Sequence, residues 1–122
     1  MRTTSTRLAP PNSLVLVEDS SGGEIPMSMN QSLIAATPSC IAVGCRAEDD
    51  GETEITLGPC SCVDAGEQPV FAGLLQTPNR RLAIRTVHGV TLLEMPVPAT
   101  ETTVKIWVND SREPDHVTVG VL

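Results

Sequence analysis

Residues 81–97 read RLAIRTVHGVTLLEMPV and predict a long β-hairpin whose two-residue turn is His88-Gly89. Gly89 suits the positive φ that such a turn requires at its second position. In this register four aliphatic side chains share one face and are expected in the core: Leu82, Ile84, Leu93 and Met95. The opposite face is mixed, and on it Arg85 and Glu94 are placed to pair diagonally.

The rest of the chain is built from similar short apolar segments. With 122 residues it has the length of about one domain. The apolar residues are mostly aliphatic, with one Phe, one Trp and no Tyr, and ten Pro and nine Gly interrupt the sequence. Frequent Val and Thr between such breaks favour short strands over helices.

These segments predict an all-β fold of about seven to nine strands, arranged as an antiparallel β-sandwich. A flattened β-barrel is the alternative. Residues 1–12 are polar and end in Pro10-Pro11, so we expect a tail or an edge strand there, followed by a single sandwich domain over residues 13–122. Residues 25–29 are expected as a strand, whereas residues 30–37 suit either a helical turn or a strand.

Acidic residues are concentrated in one half of the chain. The net charge is -7, and residues 13–67 hold ten acids against Arg46 alone. Nucleic acids and anionic membranes need clustered Lys and Arg, so neither is expected as a partner. Plain solubility is the favoured reading of this charge, and a basic protein partner is the alternative. The binding residues predicted in this half are Glu48, Asp49, Asp50 and Glu52.

Trp107 is the other residue predicted to bind a partner. Residues 102–109, TTVKIWVN, alternate strictly, with Val104, Ile106 and Val108 on one face and Trp107 on the other. The side chain is therefore either covered by a second layer of structure or exposed as an anchor for a partner.

The four cysteines lack the C-x2-C spacing of common zinc sites, so no metal is expected. Residues 40–46 and 53–57 flank the acidic turn and are predicted to form a second hairpin. That hairpin would place Cys40 opposite Cys60 and Cys62 in a thiol cluster. We expect buried structural thiols, with a redox pair and a metal site as the alternatives.

No catalytic residue and no cofactor are expected. The sequence contains neither a G-x-S-x-G motif nor a phosphate-binding glycine loop. Its two histidines, His88 and His116, fall in a turn and at the start of a strand, where solvated surface residues are common. The start of the sequence lacks an apolar leader, and no apolar run reaches about 18 residues. A cytoplasmic location is therefore expected.

Several local patterns resemble the competence protein J family, small bacterial all-β proteins that include inhibitors of a DNA-entry nuclease. The patterns are Glu18-Asp19-Ser20, Ile25-Pro26, Ala35-Ala36, Pro96-Val97-Pro98 and the Trp-bearing strand TTVKIWV at residues 102–108. The resemblance implies a stoichiometric protein binder and carries no catalytic residue with it.

Charge, composition and resemblance together predict a non-catalytic acidic protein-binding module, an inhibitor or immunity-type partner of a basic protein such as a nuclease. One alternative is a structural accessory domain in which an apolar sheet face builds a homo-oligomer. Another is a thiol-dependent enzyme or redox protein that works around Cys60 and Cys62.

Overall fold

Ten short strands form two five-stranded sheets in the computed structural model, which describes residues 3–122. The strands are β1 (Thr4–Leu8), β2 (Leu14–Asp19), β3 (Ile34–Thr37), β4 (Cys40–Gly44), β5 (Thr53–Pro59), β6 (Phe71–Gln76), β7 (Arg81–Arg85), β8 (Thr91–Pro96), β9 (Glu101–Val108) and β10 (His116–Val121). Among these residues, the helical segments are α1 (Cys60–Val63) and the 3-10 turns Pro11–Ser13 and Glu48–Asp50. Between residues 3 and 122, no helix has the length and apolarity needed to cross a membrane.

The predicted all-β sandwich is confirmed, and over the described residues the two sheets do not close into a barrel. The first sheet has the order β1-β5-β10-β9-β6, and the second has the order β3-β4-β2-β7-β8. All neighbours are antiparallel except β5 and β10, which are parallel. This one pair departs from the antiparallel pairing that was predicted for the sandwich. Between β5 and β10 the chain crosses to the second sheet and returns, as a parallel pair requires.

The hairpin of β7 and β8 has the predicted register over most of its length. Leu82 pairs with Met95 and Ile84 with Leu93, but the register then shifts, so that Arg85 pairs with Thr91. The shift is a β-bulge, and it replaces the predicted two-residue turn by a longer loop.

Thr86 closes that longer loop. Its N–H donates to the carbonyl of Val90 at 3.0 Å, and its hydroxyl accepts the N–H groups of His88 and Val90, each at 3.3 Å. Gly89 has the expected positive φ of 81°. A short two-residue turn would leave the buried Thr86 hydroxyl without these partners.

The core is a single aliphatic layer between the two sheets. It contains Leu82 and Ile84, fully buried, with Met95 at its edge and Leu93 packed against it. The other large side chains that are fully buried include Ile41, Ile55, Leu57, Leu75 and Ile106. Burying a side chain of this size stabilises the fold by roughly 1.5–3 kcal/mol, so this layer is the main source of stability.

The predicted second hairpin does not form. β4 pairs with β2 and β3 in the second sheet, whereas β5 pairs with β1 and β10 in the first. The acidic stretch between them is therefore a crossover from one sheet to the other. A 3-10 turn at Glu48–Asp50 and a φ of 125° at Gly51 redirect the chain there.

A second, smaller apolar cluster covers the outer face of the second sheet. It consists of Leu16, Cys40 and Ala42, with Met29 from the loop at residues 20–33 packed against it. The predicted strand at residues 25–29 is wrong, because these residues belong to that covering loop. The ambiguous segment at residues 30–37 contains the strand β3.

Asp19 ties the end of β2 to the start of β7. It is fully buried, and its carboxylate accepts the N–H of Asn79 at 3.1 Å and the N–H of Ser21 at 2.9 Å, together with the Ser21 hydroxyl. Ser20 donates its N–H to the carbonyl of Arg81 at 2.7 Å. Burial opposes ionisation of Asp19, but the hydrogen bonds outweigh it and lower the pKa of the carboxyl.

Asp19→Asn should lower the free energy of unfolding by about 1–3 kcal/mol at pH 7, because a buried charged acceptor is lost. A lowered pKa stabilises the fold above the unfolded value of about 3.9, and that contribution is lost as the pH falls through the folded value. The difference between the two proteins should therefore shrink below about pH 4. Urea unfolding at several pH values measures it, with the exposed Asp49→Asn as the matched control. Equal stability at pH 7 would contradict this role for Asp19.

Thr53, unlike Asp19, is a buried polar residue whose side chain lacks a hydrogen-bond partner among the described residues. It lies on β5 and is fully buried. Thr53→Val keeps the shape and removes the unpaired hydroxyl, so it should stabilise the protein by about 1 kcal/mol, or raise Tm by about 4 °C. The control is Thr102→Val, since the buried Thr102 hydroxyl bonds that of Thr77 at 2.9 Å and its loss should destabilise. A lower Tm for Thr53→Val would refute the idea.

Candidate functional site

The acidic turn between β4 and β5 lies at one end of the sandwich. Its four predicted binding residues, Glu48, Asp49, Asp50 and Glu52, are all exposed. The turn is held in place by Glu48, whose carboxylate accepts the N–H of Asn12 at 3.3 Å, and by the N–H of Asp50, which donates to Ala47 at 2.9 Å. Gly51 passes over Arg46, since a Cβ at that position would lie 3.5 Å from the guanidinium group.

The loop between β9 and β10 reaches the same end and adds three more acids. Arg46 connects the two loops, because its N–H donates to the carbonyl of Pro114 at 2.9 Å and its Nη1 lies 3.5 Å from Asp115 Oδ2. A shallow cavity of about 240 Å³ lies between the loops. Its lining consists of Arg46, Asp50, Asn109, Asp110, Glu113 and Asp115.

Hydrogen bonds keep two of these added carboxylates ionised. The backbone N–H groups of Glu113 and Arg112 donate to Asp110 and lower its pKa. Hydrogen bonds from His116 and Asn109 lower the pKa of Asp115. Both groups are therefore negatively charged well below neutral pH.

We call the resulting surface the acidic end. It comprises seven carboxylates, Glu48, Asp49, Asp50, Glu52, Asp110, Glu113 and Asp115, with Arg46 and Arg112 as its basic residues. Its formal charge is therefore -5, most of the net charge of the chain. A surface of one sign at one end of a rigid body attracts ligands of the opposite sign from a distance.

His116 extends this surface along the first sheet. Its Nδ1 lies 2.9 Å from Asp115 Oδ1, and its Nε2 lies 3.5 Å from Glu54 Oε2. Glu54 in turn pairs with Arg7 on the edge strand β1 at 3.3 Å. Arg7 therefore offsets the charge of Glu54, and the surplus of negative charge lies on the loops.

The carboxylates are spread over a surface and do not converge on one point. Within residues 3–122, no group of three or more His, Cys, Asp and Glu side chains is arranged to hold a metal ion. Such a spread of charge suits contact with a broad basic surface better than coordination of one cation.

Trp107 is covered, so its predicted role as an exposed anchor is not supported by its position. It lies on the outer face of the first sheet and is 8% exposed. Its Nε1 donates to the carbonyl of Glu67 at 3.0 Å, and its ring approaches Gly120, where the α1 residues Cys60 and Val63 also pack. Gly120 is required there, because a Cβ would lie 2.9 Å from the ring.

The structure does not bring the three predicted thiols together. Cys40 lies under the covering loop on the outer face of the second sheet, whereas Cys60 and Cys62 belong to α1 on the outer face of the first. All four cysteines are free, and only Cys62 is exposed. The predicted cluster depended on the hairpin that does not form.

Burial also makes the thiols poor nucleophiles. It raises the pKa of Cys45 to about 12, and burial together with the negative charge of Glu18 raises that of Cys40 to about 12. Burial raises the pKa of Cys60 as well. A thiol enzyme needs the opposite shift, because the thiolate is the reactive form.

Beside Cys40 lies an ion pair that the sequence did not indicate. Arg85 Nη1 donates to Glu18 Oε2 at 3.1 Å, and Arg85 Nη2 donates to the carbonyl of Ser20 at 2.7 Å. Glu94, the predicted partner of Arg85, instead accepts a hydrogen bond from Arg81 Nε at 2.8 Å. The predicted diagonal pair is wrong, because the buried Glu18 needs a cation more than the exposed Glu94 does.

Comparison with known proteins identifies a relative in structure. No family model matches the chain, and no curated protein matches its sequence. The crystal structure of ComJ, inhibitor of the DNA degrading activity of NucA, from Bacillus subtilis, superposes with a TM-score of 0.67 at 10% sequence identity, over 98% of this chain and 96% of that one. The resemblance to the competence protein J family is confirmed, and at this identity it concerns the fold.

Thiol reactivity tests the placement of the cysteines. A disulfide reagent in excess should modify one thiol per chain quickly in the native protein, and all four after denaturation. Cys62→Ser should remove the fast phase, whereas Cys45→Ser should leave it unchanged. Two fast thiols in the native protein would contradict the burial of Cys60.

Proposed function

We propose that this chain is a non-catalytic protein-binding module that inhibits a basic protein, with a nuclease as the partner class and the acidic end as the contact surface. The observation that carries the proposal is the gathering of seven of the fifteen acidic residues on two loops about sixty residues apart in sequence. The fold of ComJ, a nuclease inhibitor, supports the same class of role.

The acidic end resembles nucleic acid in the property that a nuclease recognises first, a dense array of negative charge. A nuclease must present Lys and Arg to hold the phosphate backbone. Carboxylates on rigid loops can bind the same Lys and Arg side chains, so the inhibitor would compete with the nucleic acid for the nuclease. They would also steer the encounter and raise the association rate.

Arg46 is the positioning residue in this proposal. It binds Asp115 and Pro114 on one loop while lying against Gly51 on the other, so it sets the spacing between the two acidic loops. Pre-set spacing lowers the entropic cost of binding, because the loops need little ordering when the partner arrives.

Solubility alone would not require this distribution. Charge that only prevents association works equally well when it is spread over the surface. Here the two loops meet at one end, while two of the other acids, Glu54 and Glu94, pair with Arg7 and Arg81. This local surplus of negative charge is what a binding surface needs.

We further propose a cytoplasmic location, supported by the four free cysteines. Free thiols persist in a reducing compartment.

The test measures inhibition of DNA degradation by NucA, the nuclease inhibited by the structural neighbour. The variant Asp49→Asn/Asp50→Asn/Glu52→Gln removes three charges from the acidic end and leaves Glu48 to hold the turn. It should weaken inhibition by about tenfold or more, mostly through slower association. Inhibition by the parent protein should fall steeply with added salt, and that by the variant less so.

The matched control is Glu24→Gln/Glu67→Gln/Glu101→Gln, which makes the same change in net charge at exposed acids outside the acidic end. It should change inhibition by less than about twofold. Equal losses in the two triple variants would show that only net charge matters. No inhibition of NucA or of any other basic nuclease tried would refute the proposal.

A further inference from the structure

The four strands at the edges of the two sheets are not equally protected. An exposed sheet edge invites pairing with another chain, and proteins block it with charge, proline, bulges or a covering loop. β8 has Glu94, Pro96 and a bulge, and β1 has Arg7. β3 has only four residues, and the Thr37 hydroxyl anchors the loop beside it at the carbonyl of Glu24.

β6 lacks charge, proline and a bulge, and only its last residue, Gln76, is covered, by Pro38. Its sequence, FAGLLQ, contains no charge and no proline, and its register with β9 is unbroken over all six residues. Leu74 is 57% exposed, and Val70, which precedes the strand, is 48% exposed. Such an edge in a soluble protein indicates that another strand covers it.

The hydrogen-bonding groups that β6 offers can be identified. Thr77 donates its N–H to Thr100 across the first sheet at 2.8 Å, whereas Gln76 donates its N–H away from β9, to Pro38 at 2.9 Å. Backbone groups alternate in direction along a strand. The N–H and C=O groups of Ala72 and Leu74 therefore point outward from the edge, and both residues are exposed.

We propose that a second copy of this chain covers this edge, with the two β6 strands pairing in antiparallel fashion about a two-fold axis at Gly73. In that register Ala72 of each copy faces Leu74 of the other, which forms four backbone hydrogen bonds and leaves the bond from Gln76 to Pro38 intact. Leu74 then packs on the Ala72 and Leu74 side chains of the second copy.

The distribution of charge favours a second copy as the partner and an antiparallel pairing of the two β6 strands. β6 begins at the level of Ile106, close to the acidic end, and ends at the level of Glu101 at the opposite end. An antiparallel two-fold pairing places the acidic ends of the two copies at opposite extremes of the dimer, where repulsion between them is weakest.

The charges nearest the interface are also compatible with it. Lys105 lies beside Ala72 and Glu101 beside Gln76, at opposite ends of β6. In this register Lys105 of each copy lies level with Thr103 of the other, about equally far from its Glu101 and its Lys105, so these charges do not oppose the pairing. A parallel pairing would place like charges together and the acidic ends side by side.

Light scattering and sedimentation measure the association across about a hundredfold range of concentration. The chain should be a dimer at the upper end, and Leu74→Lys should weaken dimerisation by about tenfold or more. The matched control is Val90→Lys, since Val90 is 56% exposed at the tip of the hairpin of β7 and β8. At a dilution where the parent is a monomer, both variants should keep its Tm, which shows that they fold.

Hydrogen exchange of single amides locates the contact. The Ala72 and Leu74 amides should exchange about tenfold more slowly in the dimer than in dilute solution, while the Gln76 amide should change little. A monomer at all concentrations, a dimer that Leu74→Lys leaves intact, open-ended polymers or unchanged exchange at Ala72 and Leu74 would each overturn the proposal. None of these outcomes depends on whether the acidic end inhibits a nuclease.

Discussion

One buried aliphatic layer between the two sheets constrains the rest of this structure. Because side chains alternate along a strand, each residue that enters the layer sends its neighbours to the outer face. Ile55 and Leu57 on β5 face inward, so Glu54 and Thr56 face outward, and the same alternation holds for Val104 and Ile106 on β9. The layer thereby fixes the strand registers and leaves free charge to accumulate on the loops at its ends.

The buried carboxylates next to this layer are all paired with hydrogen-bond donors or a cation. Asp19 stands at its rim and is accepted only because backbone N–H groups and a hydroxyl satisfy its charge. Glu18, one residue earlier, points to the outer face and needs Arg85 across from it. The buried charges of these two adjacent acids are therefore compensated differently, one by hydrogen bonds and one by an ion pair. The difference arises because alternation along the strand places them on opposite faces.

Much of the fold could be predicted from the sequence, and the parts that could not share a physical cause. The pairs Leu82–Met95 and Ile84–Leu93 follow from alternation alone, because only one register buries all four side chains. The conformation of the turn beyond these pairs cannot be predicted from alternation, since it depends on the buried hydroxyl of Thr86. Likewise, a Gly-containing acidic turn between two apolar segments is compatible with a hairpin or with a crossover between sheets, and only the packing of both sheets decides.

The candidate site divides in the same way. The acids at residues 48–52 are evident as a cluster in the sequence, but Asp110, Glu113 and Asp115 join them only in three dimensions, through Arg46. The turn at residues 110–114 could be recognised from composition, and its place at the same end as the first acidic turn required the strand order. The predicted thiol cluster does not form for the same reason, because Cys40 lies on β4 in the second sheet and Cys60 lies in α1 against the first.

The acidic end and the proposed contact at the β6 edge lie on different parts of the protein, so one does not block the other. Two-fold pairing along β6 would leave both acidic ends free and facing away from each other. Such a dimer would bind two partner molecules independently, because one partner could not reach both ends at once. Avidity would then arise only with a partner that is itself an assembly whose basic sites match the spacing of the two ends. The strength of inhibition of a monomeric nuclease should therefore reflect the single acidic end, whatever the state of the edge.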